Sequence, residues 1–260
     1  MFAPLPDLSD VRILVANDDG ITAPGIKVLE RVARSLSKDV WVVAPENEQS
    51  AAGHSLTLRR PLRVRQVSRR RFAVDGTPTD AVLLGINHVL KGRRPALVLS
   101  GINRGGNLGE DITYSGTVAA AMEAVILGIP AIALSQQVTP DHPVKWGTAE
   151  HWAPDIIRKV TAAGWGRDVL INVNFPDILH THVTGIEVAR QGKRKIGDEV
   201  SERTDPRGEP YIWIGGQRAD ERGPPGTDLE TVRRGAIAVT PLCIDLTDRD
   251  AMRALEPVFA

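Results

Sequence analysis

The stretch Val11-Arg-Ile-Leu-Val-Ala-Asn-Asp-Asp-Gly20 decides the fold. Its first six residues are a short β-branched run, which is typical of a strand buried on both faces of a sheet. The polar turn that follows leads to Pro24, a residue type favoured in the first turn of a helix. Apolar residues then recur at helical spacing over residues 26–36. A buried strand, a turn and an amphipathic helix in this order predict the first unit of an α/β fold.

Further apolar runs continue this alternation along the chain. Strands are predicted at residues 40–44, 96–99, 131–134 and 169–173, and helices at 79–90, 117–127 and 148–163. Strands separated by helices form a parallel sheet with right-handed crossovers. We therefore predict an α/β fold class with a mostly parallel sheet, plus a smaller β-rich C-terminal arm or hairpin elaboration.

The chain divides into four predicted parts. Residues 1–10 form an N-terminal extension, and residues 11–184 form the α/β core, which we expect to carry the functional site. Residues 185–235 are rich in Gly, Pro and charge, with short strands near 186–189 and 211–214, and we predict a β-rich arm or hairpin there. Residues 236–260 form a C-terminal strand and tail that return to the body.

The composition excludes several classes of protein. The 260 residues include 32 Lys+Arg and 32 Asp+Glu, so the net charge is zero and a uniformly basic, nucleic-acid-coating surface is excluded. With 42% apolar and 25% charged residues, the chain has the composition of a globular protein. The single cysteine, Cys243, excludes an internal disulfide, and we expect it in the core. The apolar stretch 118–134 contains Glu123 and Pro130, so we expect a soluble, cytoplasmic protein with no membrane partner.

Polar residues follow three of the predicted strands directly. Asp18 and Asp19 come after the first, Ser50 lies in the loop after the second, and Asn103 follows the third. Ligands of open parallel sheets bind beyond the carboxyl ends of the strands. Two adjacent carboxylates are costly to bury without a cation, and oxygen donors of this kind suit Mg²⁺ or Mn²⁺. An ordinary turn, with both charges in water, is the alternative for Asn17-Asp-Asp-Gly20.

A later loop ends in Tyr114-Ser-Gly-Thr117 and opens a predicted helix. Backbone N–H groups at a helix N-terminus bind anions, whereas plain N-capping by Ser115 or Thr117 is the commoner role of an isolated match. Together with the carboxylate pair, these groups indicate metal-assisted hydrolysis of a phosphoryl group.

These motifs resemble the SurE survival-protein family of metal-dependent 5′/3′-nucleotidases. The resemblance extends from Asn17-Asp-Asp-Gly20 through His54-Ser-Leu-Thr57, Gly76-Thr-Pro-Thr-Asp80, Ser100-Gly-Ile-Asn103, Tyr114-Ser-Gly-Thr-Val118 and Asn172-Val-Asn-Phe-Pro176 to Thr240-Pro-Leu-Cys-Ile-Asp245. It covers most of the chain, with residues 1–10 and much of 191–222 outside the clear match.

The resemblance implies a Rossmann-like fold with helices on both faces of the sheet, and it implies that the arm at residues 185–235 serves oligomerisation. It also implies a function and a set of site residues. It implies hydrolysis of nucleoside monophosphates by a 5′-nucleotidase, with short-chain polyphosphate as a further candidate substrate, in a homodimer or homotetramer built by exchanged C-terminal segments. It assigns one divalent metal ion per subunit to Asp18, Asp19, Ser50 and Asn103, with Asp18 and Asp19 as the catalytic residues. It assigns phosphate binding to Asn107, Ser115, Gly116 and Thr117.

One residue departs from the family pattern beside the predicted ligand Ser50. Ala51 stands where the family usually has Gly. If that position requires a positive φ, the alanine Cβ strains the loop, because L-residues with a Cβ are disfavoured there. We expect altered metal affinity in that case, with the site retained.

Two other functions are weighed against this one. A phosphatase of the haloacid-dehalogenase type forms an aspartyl phosphate, but Asn17 occupies the nucleophile's position and its amide cannot do so. A non-catalytic nucleotide- or RNA-sensing module finds support in seven arginines between residues 59 and 71. The competing interpretation is a solvated hairpin with Leu62, Val64 and Val67 turned inward. If the arginines have a function, it is to attract polyanions toward the site. We expect no stable nucleic-acid partner.

Three residues lie beside these motifs in the sequence. His54 either touches substrate or is a hydrogen-bonded structural histidine. Thr77 and Asp80 belong to a turn that we expect to support the site from behind.

Overall fold

The structure is a computed structural model that describes residues 1–194, 200–214 and 223–259. Parts of the predicted arm, residues 195–199 and 215–222, lie outside the described residues, as does Ala260 of the predicted tail. The strands are β1 (Arg12–Ala16), β2 (Asp39–Pro45), β3 (Val64–Ser68), β4 (Arg71–Val74), β5 (Leu97–Arg104), β6 (Ala131–Gln136), β7 (Val169–Phe175), β8 (Ile186–Val188), β9 (Val200–Thr204), β10 (Pro210–Ile214) and β11 (Ile237–Cys243). The α-helices are α1 (Pro24–Leu36), α2 (Pro78–Leu84), α3 (Gly116–Ile126), α4 (Trp146–Ala163), α5 (Asp228–Arg233) and α6 (Arg249–Leu255).

The strands of the described residues form a nine-stranded mixed sheet and a separate hairpin. The sheet has the order β3-β4-β2-β1-β5-β6-β7-β11-β8, and β9 and β10 pair antiparallel with each other. Strands β4, β2, β1, β5, β6 and β7 run parallel, while β3 and β11 run antiparallel to their neighbours β4 and β7. The predicted α/β class with a mostly parallel sheet is therefore confirmed.

Each face of the sheet is covered by a layer of helices. Helices α1 and α4 pack on one face, and α2 and α3 pack on the other. Strand β1 explains why the sequence specifies both layers, because Ile13 and Val15 point into the first core and Leu14 and Ala16 into the second. Alternate side chains of a strand face opposite sides, so a strand at the sheet centre must be apolar at every position.

Strand β5 is longer than predicted. Residues 103 and 104 were expected in a loop, but Asn103 and Arg104 pair with Ser135 and Gln136 of β6 after a register shift at Ser100. The irregularity re-aims the end of the strand, as β-bulges do. Asn103 is consequently held by the sheet and not by a loop.

The C-terminal strand β11 pairs with β7 through a continuous register from Ala238–Asn174 to Cys243–Val169. Our expectation that Cys243 lies in the core is wrong, because its side chain is exposed. At its C-terminal end the strand alternates between exposed and buried residues, with Pro241 and Cys243 exposed and Leu242 buried between them. Successive side chains of a strand face opposite sides of the sheet, so Cys243 lies on the same exposed face as Pro241.

The apolar stretch 118–134 becomes helix α3 and strand β6 of the core. Among the residues that the structure describes, no helix combines the length and the apolar character that crossing a bilayer requires.

Candidate active site

The loops that follow β1, β2 and β5 meet at the carboxyl edge of the sheet. They surround a cavity of about 630 Å³ that Asp18, Ser50, Asn103, Asn107 and Ser115 help to line. Five of the eight predicted site residues therefore share this cavity. The other three, Asp19, Gly116 and Thr117, lie directly behind it through the contacts described below. A parallel sheet gathers its loops in this way because all the strands end at the same edge.

Asp18 is buried at the end of β1 and lies against the N-terminus of α3. Thr117 Oγ1 donates a hydrogen bond to Asp18 Oδ1 at 2.5 Å. A Cβ added to Gly116 would lie 2.7 Å from Asp18 Cβ, so glycine is needed for this approach. Burial raises the pKa of Asp18, and the hydrogen bond from Thr117 opposes that rise only in part.

Asp19 lies next to this carboxylate and is also perturbed. Burial, and then the neighbouring charge of Asp18, raise the pKa of Asp19 to about 6. The backbone N–H of Arg104 donates to Asp19 Oδ2 at 3.1 Å and counteracts the rise. Both carboxylates are thus held at a point where their negative charge is unfavourable, and a bound cation would relieve this.

Glu48 is an acidic residue that our sequence reasoning missed. Its charge raises the pKa of both Asp18 and Asp19, and its Oε1 accepts a hydrogen bond of 2.8 Å from Ser50 Oγ. The signal was available, since Glu48 lies only two residues before the predicted ligand Ser50 in the sequence. This hydrogen bond connects the predicted ligand Ser50 to the acidic end of the cavity.

The donor set fits a hard divalent cation. Among the described residues there is no group of three or more His, Cys, Asp or Glu side chains that could hold a metal. Two carboxylates, Asp18 and Asp19, together with the neutral oxygens of Ser50 and Asn103, form a different kind of set, which suits Mg²⁺ or Mn²⁺ and does not suit zinc. Asn103 Nδ2 donates to the Gly105 carbonyl at 2.9 Å, so the ligand atom would be the amide oxygen.

Ala51 adopts the left-handed conformation, with φ of 60°. This is the positive φ that we considered from the sequence, and a residue with a Cβ is strained there. The strained residue immediately follows Ser50 and lines the cavity.

At the start of α3, Ser115 acts as the N-cap. Its Oγ accepts a hydrogen bond of 3.0 Å from the backbone N–H of Val118, which is the plain capping role that we left open. The hydroxyl of Thr117 is likewise engaged, by Asp18. An anion at this helix end would therefore bind chiefly to backbone N–H groups of the first turn.

Thr77 and Asp80 support the site from behind by fixing a loop. They form a capping box at the start of α2, and the buried Asp80 carboxylate also accepts hydrogen bonds from Thr57, at 3.0 Å from N and 2.6 Å from Oγ1. His54 Nε2 lies 3.0 Å from Glu123 Oε2 on α3, which agrees with the structural interpretation of this histidine. These contacts connect the segment after Ser50 to helices α2 and α3.

The seven arginines between residues 59 and 71 lie on and before the β3–β4 hairpin. Four of them pair with acids from elsewhere: Arg60 with Asp75 (3.4 Å), Arg65 with Glu46 (2.5 Å), Arg70 with Asp39 (3.3 Å) and Arg71 with Glu30. Arg70 reaches the first residue of β2, at the edge of the sheet opposite the cavity. Leu62 and Val64 are half-buried, whereas Val67 is exposed and does not turn inward. The run is thus divided between two ends of the sheet.

Two further residues line the cavity and are placed to contact a substrate, although the sequence reasoning did not identify them as site residues. Tyr114 lines the cavity with 55% of its surface exposed, and Arg104 lies beside Asn103. Tyr114 immediately precedes the N-cap of α3, so its ring borders the predicted phosphate site. The sequence shows Tyr114 in the motif Tyr114-Ser-Gly-Thr-Val118, but only the structure shows that its side chain is exposed.

Comparison with known proteins gives the family of the chain. A family model described as "Survival protein SurE" matches residues 13–198. The chain belongs to the SurE family.

Its relatives match along the whole length. The "5′-nucleotidase SurE" of Paramagnetospirillum magneticum is 75% identical over 258 residues, covering 99% of both chains. The protein of the same name from Rhodospirillum rubrum is 58% identical over 262 residues, covering 100% of both chains. A crystal structure of the SurE protein from Aquifex aeolicus superimposes with a TM-score of 0.84 at 42% identity, covering 96% of this chain and 100% of that one. The resemblance drawn from the motifs is therefore confirmed.

Proposed function

We propose that this chain is a 5′-nucleotidase, a metal-dependent phosphomonoesterase that hydrolyses nucleoside monophosphates to nucleoside and phosphate. The observation that carries the proposal is the buried Asp18, held by Thr117 at the N-terminus of α3 and beside the cavity. It places an acidic pair and an anion-binding helix end next to each other. The full-length identity to relatives named 5′-nucleotidase SurE supports the same activity.

Asp18, Asp19, Ser50 and Asn103 would hold one divalent ion, Mg²⁺ or Mn²⁺. The raised pKa of each aspartate supports this assignment, because a cation relieves the unfavourable charge that burial creates. When bound, such an ion supplies Lewis-acid chemistry that offsets negative charge on the phosphoryl group.

The residues of the chain then orient the reaction. Backbone N–H groups of the first turn of α3, together with the amide of Asn107, bind the phosphoryl oxygens. Asp18 or Asp19 accepts a proton from the attacking water. As the new P–O bond forms, the bond to the nucleoside oxygen breaks, and that oxygen takes up a proton from solvent and leaves as the nucleoside hydroxyl.

The test is hydrolysis of AMP by Asp18→Asn and Asp19→Asn with Mg²⁺, with Mn²⁺ and with EDTA. We expect kcat to fall about 100-fold or more in each variant, since a positioned acid or base contributes at least this much. Asp155→Asn is the matched control, because Asp155 is a half-exposed acid paired with Lys159 on α4. Full activity in both site variants, or in EDTA, would contradict the proposal.

The covalent alternative predicts a trappable phosphoenzyme. Asn17 Nδ2 donates to the Gly20 carbonyl at 3.0 Å, so the side chain in the nucleophile's position is a buried amide that closes the turn. Acid quenching with labelled AMP should trap no phosphoprotein in the wild-type chain. Asn17→Asp serves as the comparison, because a carboxylate at this position is what the covalent scheme requires.

We also propose that the protein is a cytoplasmic homodimer or homotetramer. Side chains of β10, of α6 and of the segment that follows α6, among them Ile212, Trp213, Leu255 and Phe259, are large, apolar and exposed, which is typical of an interface between subunits. Residues 185–235 would then act as the oligomerisation arm. Light scattering of the full chain and of Ile212→Ser/Trp213→Ser tests the assembly.

A single cysteine suits a reducing compartment, and cell fractionation tests the location.

A further inference from the structure

The motif Asn172-Val-Asn-Phe-Pro176 places two amide side chains in the core behind the cavity. Asn172 and Asn174 lie two residues apart on β7 and so face the same side of the sheet, and both are fully buried. Amides are seldom buried without partners, because an unsatisfied polar group is costly in the interior. What these two amides bind therefore indicates why the sequence carries them there.

Both amides bind the backbone of Asn107. Asn174 Oδ1 accepts from the Asn107 N–H at 2.8 Å, and Asn174 Nδ2 donates to the Asn107 carbonyl at 3.1 Å. Asn172 Nδ2 donates to the same carbonyl at 2.9 Å. The two side chains together supply the hydrogen bonds that a neighbouring strand would otherwise give to this peptide group.

The side chain of Asn107 is fixed from another strand. Its Nδ2 donates to Ser135 Oγ on β6 at 2.8 Å. Backbone and side chain of Asn107 are thus held by separate elements, although the residue follows Gly105 and Gly106, which give the loop little stiffness of its own. Asn107 lines the cavity from this fixed position.

We propose that Asn172 and Asn174 are positioning residues, which aim the Asn107 amide at the phosphoryl group of the substrate. The inference rests on the proposed nucleotidase function and assigns a role to a motif that the function had not used. Amide donors contribute to phosphoryl transfer only when they are held in place before the reaction. A loop that contains two consecutive glycines needs external hydrogen bonds for this purpose.

The main variant is Asn174→Ser, which removes both hydrogen bonds to Asn107 without introducing a charge. We expect kcat/KM for AMP to fall about 100-fold, the scale of a misplaced catalytic group. The inhibition constant of inorganic phosphate should rise in parallel. Thr240→Val is the matched control, because Thr240 is opposite Asn172 on β11, is equally buried, and its Oγ1 has no hydrogen-bond partner among the described residues.

A double-mutant cycle separates positioning from general structural support. In the Asn107→Ala background, Asn174→Ser should cost no more than about a further twofold, because the group that it positions is already gone. An equal loss in both backgrounds would overturn the inference, as would wild-type kcat/KM in Asn174→Ser. If Asn174→Ser shows no thermal unfolding transition, Asn172→Ser takes its place in the cycle and removes the hydrogen bond from Asn172 Nδ2 to the Asn107 carbonyl.

The failure of this inference is distinguishable from failure of the proposed function. Wild-type protein that hydrolyses AMP, together with an unaffected Asn174→Ser, rejects the positioning role alone. Wild-type protein that hydrolyses no nucleoside monophosphate rejects the function on which it rests, and the inference with it.

Discussion

Replacing Ala51 by glycine should stabilise the protein. Ala51 has a φ of 60°, and its side chain is exposed, so removal of the methyl group loses little packing. Most Ala→Gly substitutions destabilise, because glycine adds conformational freedom to the unfolded chain. At this residue the positive φ of the native backbone favours glycine, so we expect Ala51→Gly to stabilise the folded protein.

The magnitude follows from two opposing contributions. The left-handed conformation costs a residue with a Cβ about 1–2 kcal/mol. The extra freedom of glycine in the unfolded chain costs about 0.4–1 kcal/mol. Taking the middle of each of these two ranges, Ala51→Gly should raise the free energy of unfolding by about 0.8 kcal/mol. This corresponds to a rise of about 2–3 °C in Tm for a chain of this size.

The assay is thermal and urea unfolding of Ala51→Gly, Ala51→Val and Ala52→Gly. Ala51→Val should destabilise, because a β-branched residue is less tolerant of positive φ. Ala52→Gly is the matched control one residue away; its φ is not positive, so we expect a loss of about 0.5–1 kcal/mol. Equal shifts for the two glycine variants would refute the argument from backbone strain.

Three further outcomes are expected. For Tyr114→Ala, KM for AMP should rise about tenfold while KM for ribose 5-phosphate stays constant, since a stacked base is worth about 1–3 kcal/mol; equal rises would contradict stacking. Gly116→Ala should lower AMP turnover, because its Cβ would lie 2.7 Å from Asp18 Cβ, whereas Gly147→Ala, with open space at its Cβ, should leave turnover unchanged. Burial raises the pKa of Asp39, but hydrogen bonds from Arg12 and Trp41 and the charges of Arg12 and Arg70 outweigh it and lower the pKa overall. This stabilisation is present above the unfolded pKa of about 4 and is lost as the pH falls through the lower folded value. The free energy of unfolding of Asp39→Asn, measured in urea, should therefore approach that of the wild type below about pH 4. A difference between the two proteins that does not change with pH would contradict this.

The sequence predicts the elements that local patterns encode. The alternation of Ile13, Leu14 and Val15 specifies a strand with a helical layer on each side, and a parallel sheet brings its loops to one edge. Asp18, Ser50 and Asn103 could be expected at one cavity for this reason, although their distances along the chain are large.

Contacts between distant segments escaped the sequence reasoning. The arginine run looked unpaired because its acids lie elsewhere, such as Glu30 for Arg71 and Asp39 for Arg70. The exposure of Cys243 depends on which helix covers the end of β11, which composition does not reveal. Asn107 was assigned from the resemblance alone, and its fixation by Asn174 becomes visible only when β5 and β7 share a sheet.

The charges at the carboxyl edge explain why a metal and a phosphate belong to the same proposal. Asp18, Asp19 and Glu48 bring three acidic groups close together at this edge, where burial raises the pKa of both aspartates and the charge of Glu48 raises it further. A phosphomonoester would bring further negative charge to this point, and the N-terminal dipole of α3 offsets only about half an elementary charge. Productive binding of such a substrate is therefore favoured by a cation between the carboxylates and the phosphoryl oxygens, which is why the proposed nucleotidase function includes a divalent metal.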